Sequence, residues 1–248
     1  MGKPSLVYGI HALSEAIRAG KTLERVFVQQ GLKGEPAREL IRLLRERQIP
    51  FTQVPAEKLG RLTGKNHQGV VGYLSAIDYA LLNNVVQQVY EEGQVPLFIM
   101  LDHITDVRNL GAIARTAEGL GAHALIVPEK GSAPVSADAI KTSAGALHYL
   151  PVCREKNLLR AAQFLKDAGL AVVACTEKAE KSAFHTDMNR PLVLILGSED
   201  AGIARELLSL ADEQVKIPMA GQVQSLNVSV AAGMMLYEVI RQRASARR

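Results

Sequence analysis

The chain has 248 residues, 48% of them hydrophobic, enough for one large domain or for a small and a medium one. Its apolar runs, such as VPLFIML, are far too short to cross a bilayer. No signal-peptide pattern opens it, and its two cysteines, Cys153 and Cys175, match no metal spacing, so a reduced cytoplasmic protein is expected. The net charge of +4 is uneven: residues 1–75 carry 12 Lys and Arg against 6 Asp and Glu, and the remainder is slightly acidic. Such segregation suggests attraction to a polyanion, nucleic acid being the commonest. The alternative is a solvated helix face, since many of these arginines fall in ARELIRLLRERQ.

Along the chain, VFVQQ (26–30) predicts a short strand, residues 37–48 an amphipathic helix, and residues 51–54 and 70–76 further strands. These form a small α/β unit over residues 1–76. Residues 77–94, polar and closed by Pro96 shortly after, read as a helix-containing linker. From residue 95 the pattern changes. VPLFIMLD is an unbroken apolar run, followed by a helix in NLGAIARTAEGLG and a strand in HALIVP. The alternation continues through SADAIKTSAGAL, YLPVC, NLLRAAQFLKDAG, AVVACT, LVLILGSE, GIARELLSLA and QVKIPM to a final helix in LNVSVAAGMMLYEVIRQR. Strict alternation with continuous apolar strands predicts a mostly parallel sheet with helices on both faces over residues 95–248.

Ligands of open parallel sheets sit beyond the carboxyl ends of the strands. Three strands there end in polar loops: HITDVRNLG, SEDAG and AGQVQSLN. GLGAHA (119–124) satisfies a dinucleotide pattern formally, but it precedes a strand instead of following one. No Walker A motif, nucleophile elbow or paired histidine spacing occurs, so neither a nucleotide fingerprint nor a metal site is expected. Asn109 opens a helix and is a candidate cap. Arg115, among the apolar neighbours of AIARTA, reads as an inner-face arginine that needs an anion. That anion is either a carboxylate of Asp102, Asp106 or Glu199, or a phosphate. Glu199, just past a buried strand, is a candidate for capping a helix or holding a loop.

The three loops resemble the three signature motifs of the SpoU (TrmH-like) RNA ribose 2′-O-methyltransferases of the SPOUT superfamily. The motifs are LDHITDVRNLGAIARTAEGLGAHALIVP, LVLILGSEDAGI and KIPMAGQVQSLNVSVAAGMMLYEV, in order and at strand ends. YGIHAL, NHQGVVG and KTSAGALHYLPV are similar to the subgroup that modifies guanosine ribose in 23S rRNA. The resemblance implies a small L30e-like domain that binds RNA over residues 1–76. It implies a catalytic domain over 95–248 whose C-terminal segment forms a trefoil knot around S-adenosylmethionine. It implies Gly197, Ile217, Met219, Leu226 and Thr176 as cofactor contacts, and Arg115, Asn109, Glu199, Ser225 and Asn227 as active-site positions. Tyr8, His11, His67 and Gln68 become the expected RNA contacts. A homodimer sealed by the last helix, with Arg115 acting across it, completes the expectation. The target is then structured RNA, first 23S rRNA. A tRNA methyltransferase and a non-catalytic ribosome assembly factor are the alternatives.

Overall fold

A computed structural model describes residues 6–47, 49–222 and 225–246. The chain divides into two compact units, the first reaching Asp78 and the second beginning at Tyr79, with residues 135–137 clustering with the first.

The first unit runs β1 (Leu6–Tyr8), α1 (Ile10–Arg18), β2 (Leu23–Gln29), α2 (Glu35–Glu46), β3 (Phe51–Val54), α3 (Ala56–Leu62) and β4 (Val70–Leu74). The strands lie in the order β1-β4-β2-β3. β4 is antiparallel to both neighbours, and β2 is parallel to β3. Residues on successive strand positions point to opposite faces, and the sheet has two apolar faces. One packs Val26, Val28 and Val70 against Leu13 and Ile17 of α1 and Leu40 and Leu44 of α2. The other packs Phe27, Val54 and Val71 against Leu59 of α3. The sequence reading found β2, β3, β4 and α2 but not β1, α1 or α3, whose apolar periods are only seven to nine residues or shorter. The last expected residue of α2, Gln48, lies outside the described residues.

The second unit contains α4 (Leu82–Glu91), β5 (Leu97–Asp102), α5 (Val107–Gly119), β6 (Ala124–Pro128), α6 (Ala137–Thr142), β7 (Val152–Glu155), α7 (Leu158–Asp167), β8 (Ala171–Cys175), β9 (Lys181–Ser182), β10 (Leu192–Gly197), α8 (Arg205–Leu210), β11 (Glu213–Lys216) and α9 (Val228–Ser245). Seven strands form one sheet, β7-β6-β5-β10-β8-β11-β9, and every pairing is parallel. The central strands β5 and β10 are buried nearly end to end, as their unbroken apolar runs require. Residues expected to be linker fold with this unit. α4 buries Leu82, Val85, Val86 and Val89 against Phe98 and Met100 of β5, and Ala80 N–H donates to the Val152 carbonyl at 2.9 Å. Its polar residues all fall on one side, so NNVVQQVYEE reads as plain in composition while its four apolar positions follow the helical period. Each such side chain contributes about 1.5–3 kcal/mol relative to exposure.

β10 lies between β5 and β8, so the carboxyl ends of β5, β10 and β8 are adjacent. The loops after them therefore share one rim of the sheet. α9 packs on α5, bringing the loop before α9 to the same rim.

Candidate active site

The rim is organised by a turn directly after β10. Gly197 ends the strand, and the chain folds back so tightly that a Cβ on Gly197 would lie 2.2 Å from the Gly202 carbonyl carbon. Gly202 closes the turn with φ +68°, and its N–H donates to the Ser198 carbonyl at 2.9 Å. Ala201 N–H donates to Ser198 Oγ at 3.1 Å. Asp102, at the end of β5 and 2% exposed, pins the far side of this loop. Its Oδ2 accepts from Ala204 N–H at 2.8 Å, and its Oδ1 lies 2.6 Å from His103 Nδ1. A buried carboxylate is tolerable only when its oxygens are bonded this way. Asp102 joins the β5 and β10 loops, a role the sequence reading missed. The available signal was a carboxylate terminating an otherwise apolar run.

Three residues far apart in sequence meet at this rim. Asn227 Nδ2 donates to Glu199 Oε1 at 2.7 Å and to Asn109 Oδ1 at 3.0 Å. The Asn227 Oδ1 accepts from Ser229 N–H at 2.9 Å, capping α9. Glu199 Oε1 also accepts from Val228 N–H at 3.4 Å, a negative charge at a helix N-terminus. Glu199 thus does both things anticipated for it: it caps a helix and holds a loop. Asn109 does not cap α5. Asp106 does, accepting from Arg108 N–H at 2.7 Å, and Asn109 stands in the first turn.

Arg115 differs most from expectation. It is exposed, not on the inner face of α5. None of its three anticipated carboxylate partners pairs with it. Asp102 is engaged by His103 and Ala204, Asp106 by the α5 backbone, and Glu199 by Asn227 and Val228. Among the described residues no carboxylate lies within ion-pair distance of Arg115. The six residues separating it from Asn109 rotate it about 120° away around the helix.

Beside the three-residue cluster opens a cleft of about 170 Å³. Gly197, Ile217, Met219, Leu226 and Thr176, the five expected cofactor contacts, all line it, as do Ser225 and Glu199. Two residues of the loop before α9, Val223 and Gln224, lie outside the described residues. Glu177, Glu199 and Asp200 at the cleft outnumber its one cation, Lys178, and a cavity of that sign favours a cationic ligand. Cys175 also lines it, its thiol pushed up to about 12 by burial and therefore protonated. Thr176 is held through its N–H to the Val215 carbonyl at 2.9 Å. The polar lining is made of hydroxyls (Thr176, Ser198, Ser225) and carboxylates (Glu177, Glu199, Asp200) beside an apolar wall of Leu196, Val215 and Val228. This suits a ligand with a nucleoside, an amino acid and a positive sulfonium.

In the first unit, Gln68 (φ +48°) accepts from Ile10 N–H through its Oε1 at 3.1 Å, so YGIHAL and NHQGVVG meet at the start of α1. His67 Nδ1 accepts from Gly69 N–H at 3.1 Å. His11 is exposed, and Tyr8 is half-buried against the α3-side core. Among the described residues no group of three or more His, Cys, Asp or Glu is placed to hold a metal ion, and no helix is long and apolar enough to cross a membrane.

A parallel α/β unit with an acidic ligand cleft at its carboxyl rim, joined to a basic α/β module, is the architecture of a cofactor-dependent enzyme acting on nucleic acid. The chain belongs to the SpoU rRNA methylase family, whose model matches residues 96–237. A second model, for substrate binding in RNA 2′-O ribose methyltransferases, matches residues 6–80. It is 35% identical over 237 residues to a putative TrmH family tRNA/rRNA methyltransferase of Bacillus subtilis, covering 96% of this chain and 95% of that one. Its structure is similar to the SpoU methyltransferase AviRb of Streptomyces viridochromogenes in complex with AdoMet (TM-score 0.61, 29% identity, 97% and 90% of the two chains). It is also similar to a TrmH/SpoU tRNA modifying enzyme of A. aeolicus (TM-score 0.56, 28% identity, 67% and 86%). The protein is an S-adenosylmethionine-dependent RNA methyltransferase.

Proposed function

We propose that this enzyme methylates a ribose 2′-hydroxyl in structured ribosomal RNA, on a guanosine of 23S rRNA. The observation that carries the reading is the Asn109–Glu199–Asn227 cluster, drawn from three separate loops at the mouth of an acidic cleft. S-adenosylmethionine, when bound, supplies an electrophilic methyl group on a positive sulfonium. Gly197, Ile217, Met219 and Leu226 would hold it through the cleft walls, with Thr176 at the edge. Asn227 and Glu199 are fixed by mutual hydrogen bonds, so they orient a nucleotide without reorganising. Ser225 faces the same cleft.

Transfer forms an O–C bond at the 2′-oxygen as the methyl's C–S bond breaks and the hydroxyl proton leaves to water, and a cation beside the oxygen stabilises the alkoxide character that develops as the proton departs. Arg115 is the residue for this, gripping the developing alkoxide and the adjacent phosphate as a planar fork. Its exposed position on α5 suits delivery to the active site of a second copy of the chain. α9 presents Val230, Met234 and Tyr237 to solvent at 50%, 46% and 64% exposure. These lie one helical turn apart on one face, and burying them against a second α9 would form the homodimer. The C-terminal segment would form the trefoil knot that the family resemblance implies.

The basic first unit would hold the RNA, with Tyr8, His11, His67 and Gln68 near the start of α1. The decisive experiment maps ribose methylation in cells with and without the gene. Loss of one 23S rRNA 2′-O-methyl guanosine is expected. Loss only from tRNA would move the substrate, and no loss with no S-adenosylmethionine binding would leave an assembly factor. Arg115→Ala should bind S-adenosylmethionine normally and lose methyl transfer, and sedimentation should give a dimer that Met234→Glu disrupts.

A further inference from the structure

The cations on the two faces of the first unit's sheet have different surroundings. On the α1/α2 face, Arg18 pairs with Glu15 at 2.9 Å and Glu39 at 2.6 Å, Arg38 with Glu35 at 3.6 Å, and Arg42 with Glu46 at 3.6 Å. Those three are partly offset by carboxylates one helical turn or one helix away, while Arg45 of α2 and Arg47 at its end are exposed and make no ion pair among the described residues, and no ring stands beside them. On the α3 face the cations do something else. Lys58 Nζ stands 5.2 Å and the Arg25 guanidinium 5.9 Å from the centre of the Phe27 ring. Lys65 Nζ stands 5.5 Å from the centre of the Tyr8 ring. Phe27 meets Tyr73 edge to face at 6.2 Å. Arg25, Lys58, Lys65 and Arg61, all exposed, make no ion pair among the described residues. The one carboxylate on α3, Glu57, is exposed in its first turn.

The covering of this face is also thin. α1 and α2 blanket the opposite side, whereas this side carries only the seven-residue α3. Tyr8 and Tyr73 are consequently left half-buried at the end of the sheet formed by β1 and β4. Half-exposed tyrosines fringed by unpaired cations match what an unpaired RNA strand offers: phosphates for the cations and base faces for the rings. We infer that the α3-side face of the small sheet, built on Tyr8, Tyr73, Arg25, Lys58 and Lys65, is the surface that holds an unpaired stretch of the RNA substrate. This rests on the RNA methyltransferase reading above and deepens it. It places three of the twelve cations of residues 1–75 beside aromatic rings on one face. It also gives Tyr8 a stacking role beside its packing one.

The test compares two triple variants of the full-length protein with equal charge change. R25Q/K58Q/K65Q removes cations from the α3 face, and R18Q/R38Q/R42Q removes them from the helix face. Binding of fluorescein-labelled oligouridylate is measured against salt. The first variant should bind about tenfold more weakly, and its plot of log affinity against log salt should flatten by about 2, at ~0.7 per phosphate contact on a single strand. The second should stay within about twofold of the parent, because its cations stand beside carboxylates and next to no aromatic ring. Equal weakening by both variants would mean diffuse attraction and overturn the surface. So would an unaltered first variant, or a parent that methylates RNA yet ignores oligouridylate. A parent that neither binds nor methylates any RNA would instead fail the function proposed above. Tyr8→Phe should bind as the parent does, and Tyr8→Leu, which also gives up packing against the α3-side core, should lose about tenfold when measured at a temperature where it is fully folded. Equal binding by these two would remove the stacking role and overturn the inference for Tyr8.

Discussion

Asn227 is the residue at which stability and catalysis can be pulled apart. Its carbonyl oxygen caps α9 through Ser229 N–H, while its amide nitrogen bonds Glu199 and Asn109. Asn227→Ala removes both functions. Loss of the cap costs about 1 kcal/mol. Loss of a hydrogen bond to a charged group costs about 1.5–3 kcal/mol when buried, and less here because Glu199 and Asn227 are exposed. The sum, about 1.5–2.5 kcal/mol, corresponds to a melting point some 4–8 °C lower for a chain of this size. Asn227→Asp is the informative partner. It keeps an excellent cap but places a second carboxylate where the donor stood, 2.7 Å from Glu199 Oε1. At that separation the repulsion is about 1.5 kcal/mol in water-like surroundings. The penalty exists only while both groups are ionised, so this variant should gain stability relative to the parent as the pH is lowered and one carboxyl takes a proton. Scanning calorimetry from acid to neutral pH, with methyl transfer assayed alongside, reads both effects. Both variants should lose at least about a hundredfold in turnover, the scale of a displaced orienting group. If Asn227→Asp melts as the parent does at every pH and turns over normally, the three-residue cluster is not a working unit.

Three further outcomes follow from the same geometry. Gly197→Ala should displace the Ser198–Gly202 turn, since the new methyl would sit 2.2–2.5 Å from Gly202 and Ile203 backbone atoms; a loss of about 1–3 kcal/mol in denaturant unfolding should come with lost S-adenosylmethionine binding by calorimetry. Cys153, buried and with its thiol pushed up to about 12 by that burial, should resist iodoacetamide in the native protein at neutral pH and react only after denaturation. Glu238 accepts from Arg241 Nε at 2.8 Å, Arg241 Nη2 at 2.7 Å and Gln242 Nε2 at 2.7 Å, and the Arg241 hydrogen bond leads in holding its carboxyl below the ordinary glutamate range. That stability is present above the unfolded-state value and disappears as pH falls through the lowered one, so Glu238→Gln should flatten the acid limb of a melting-temperature profile and change it little at the lowest pH.

How far the sequence reaches can be seen residue by residue. LFIMLD and LVLILG are buried on both faces, and a strand in that position has no polar alternative, so the parallel sheet was legible from runs alone. The five residues expected as cofactor contacts, four from the motif loops and Thr176 after β8, all line one cleft. α4 was not legible as part of the sheet's core, because its four buried residues are spread among asparagines and glutamines and their burial depends on β5, ten residues later. Nor did AIARTA reveal which way Arg115 points. Helical phase alone sets a side chain's bearing, and which bearing faces inward depends on what packs against α5, namely α9 from the far end of the chain. The same holds for Asp102, whose partner Ala204 is 102 residues away, and for the cations of the first unit, where composition records their number and only the fold separates the paired from the unpaired. Local pattern determined the elements, the strand-end loops and the residue types that serve this chemistry. Long-range packing decided which of them meet, because contacts between strands and helices distant in sequence fix burial and direction, and a linear order carries neither.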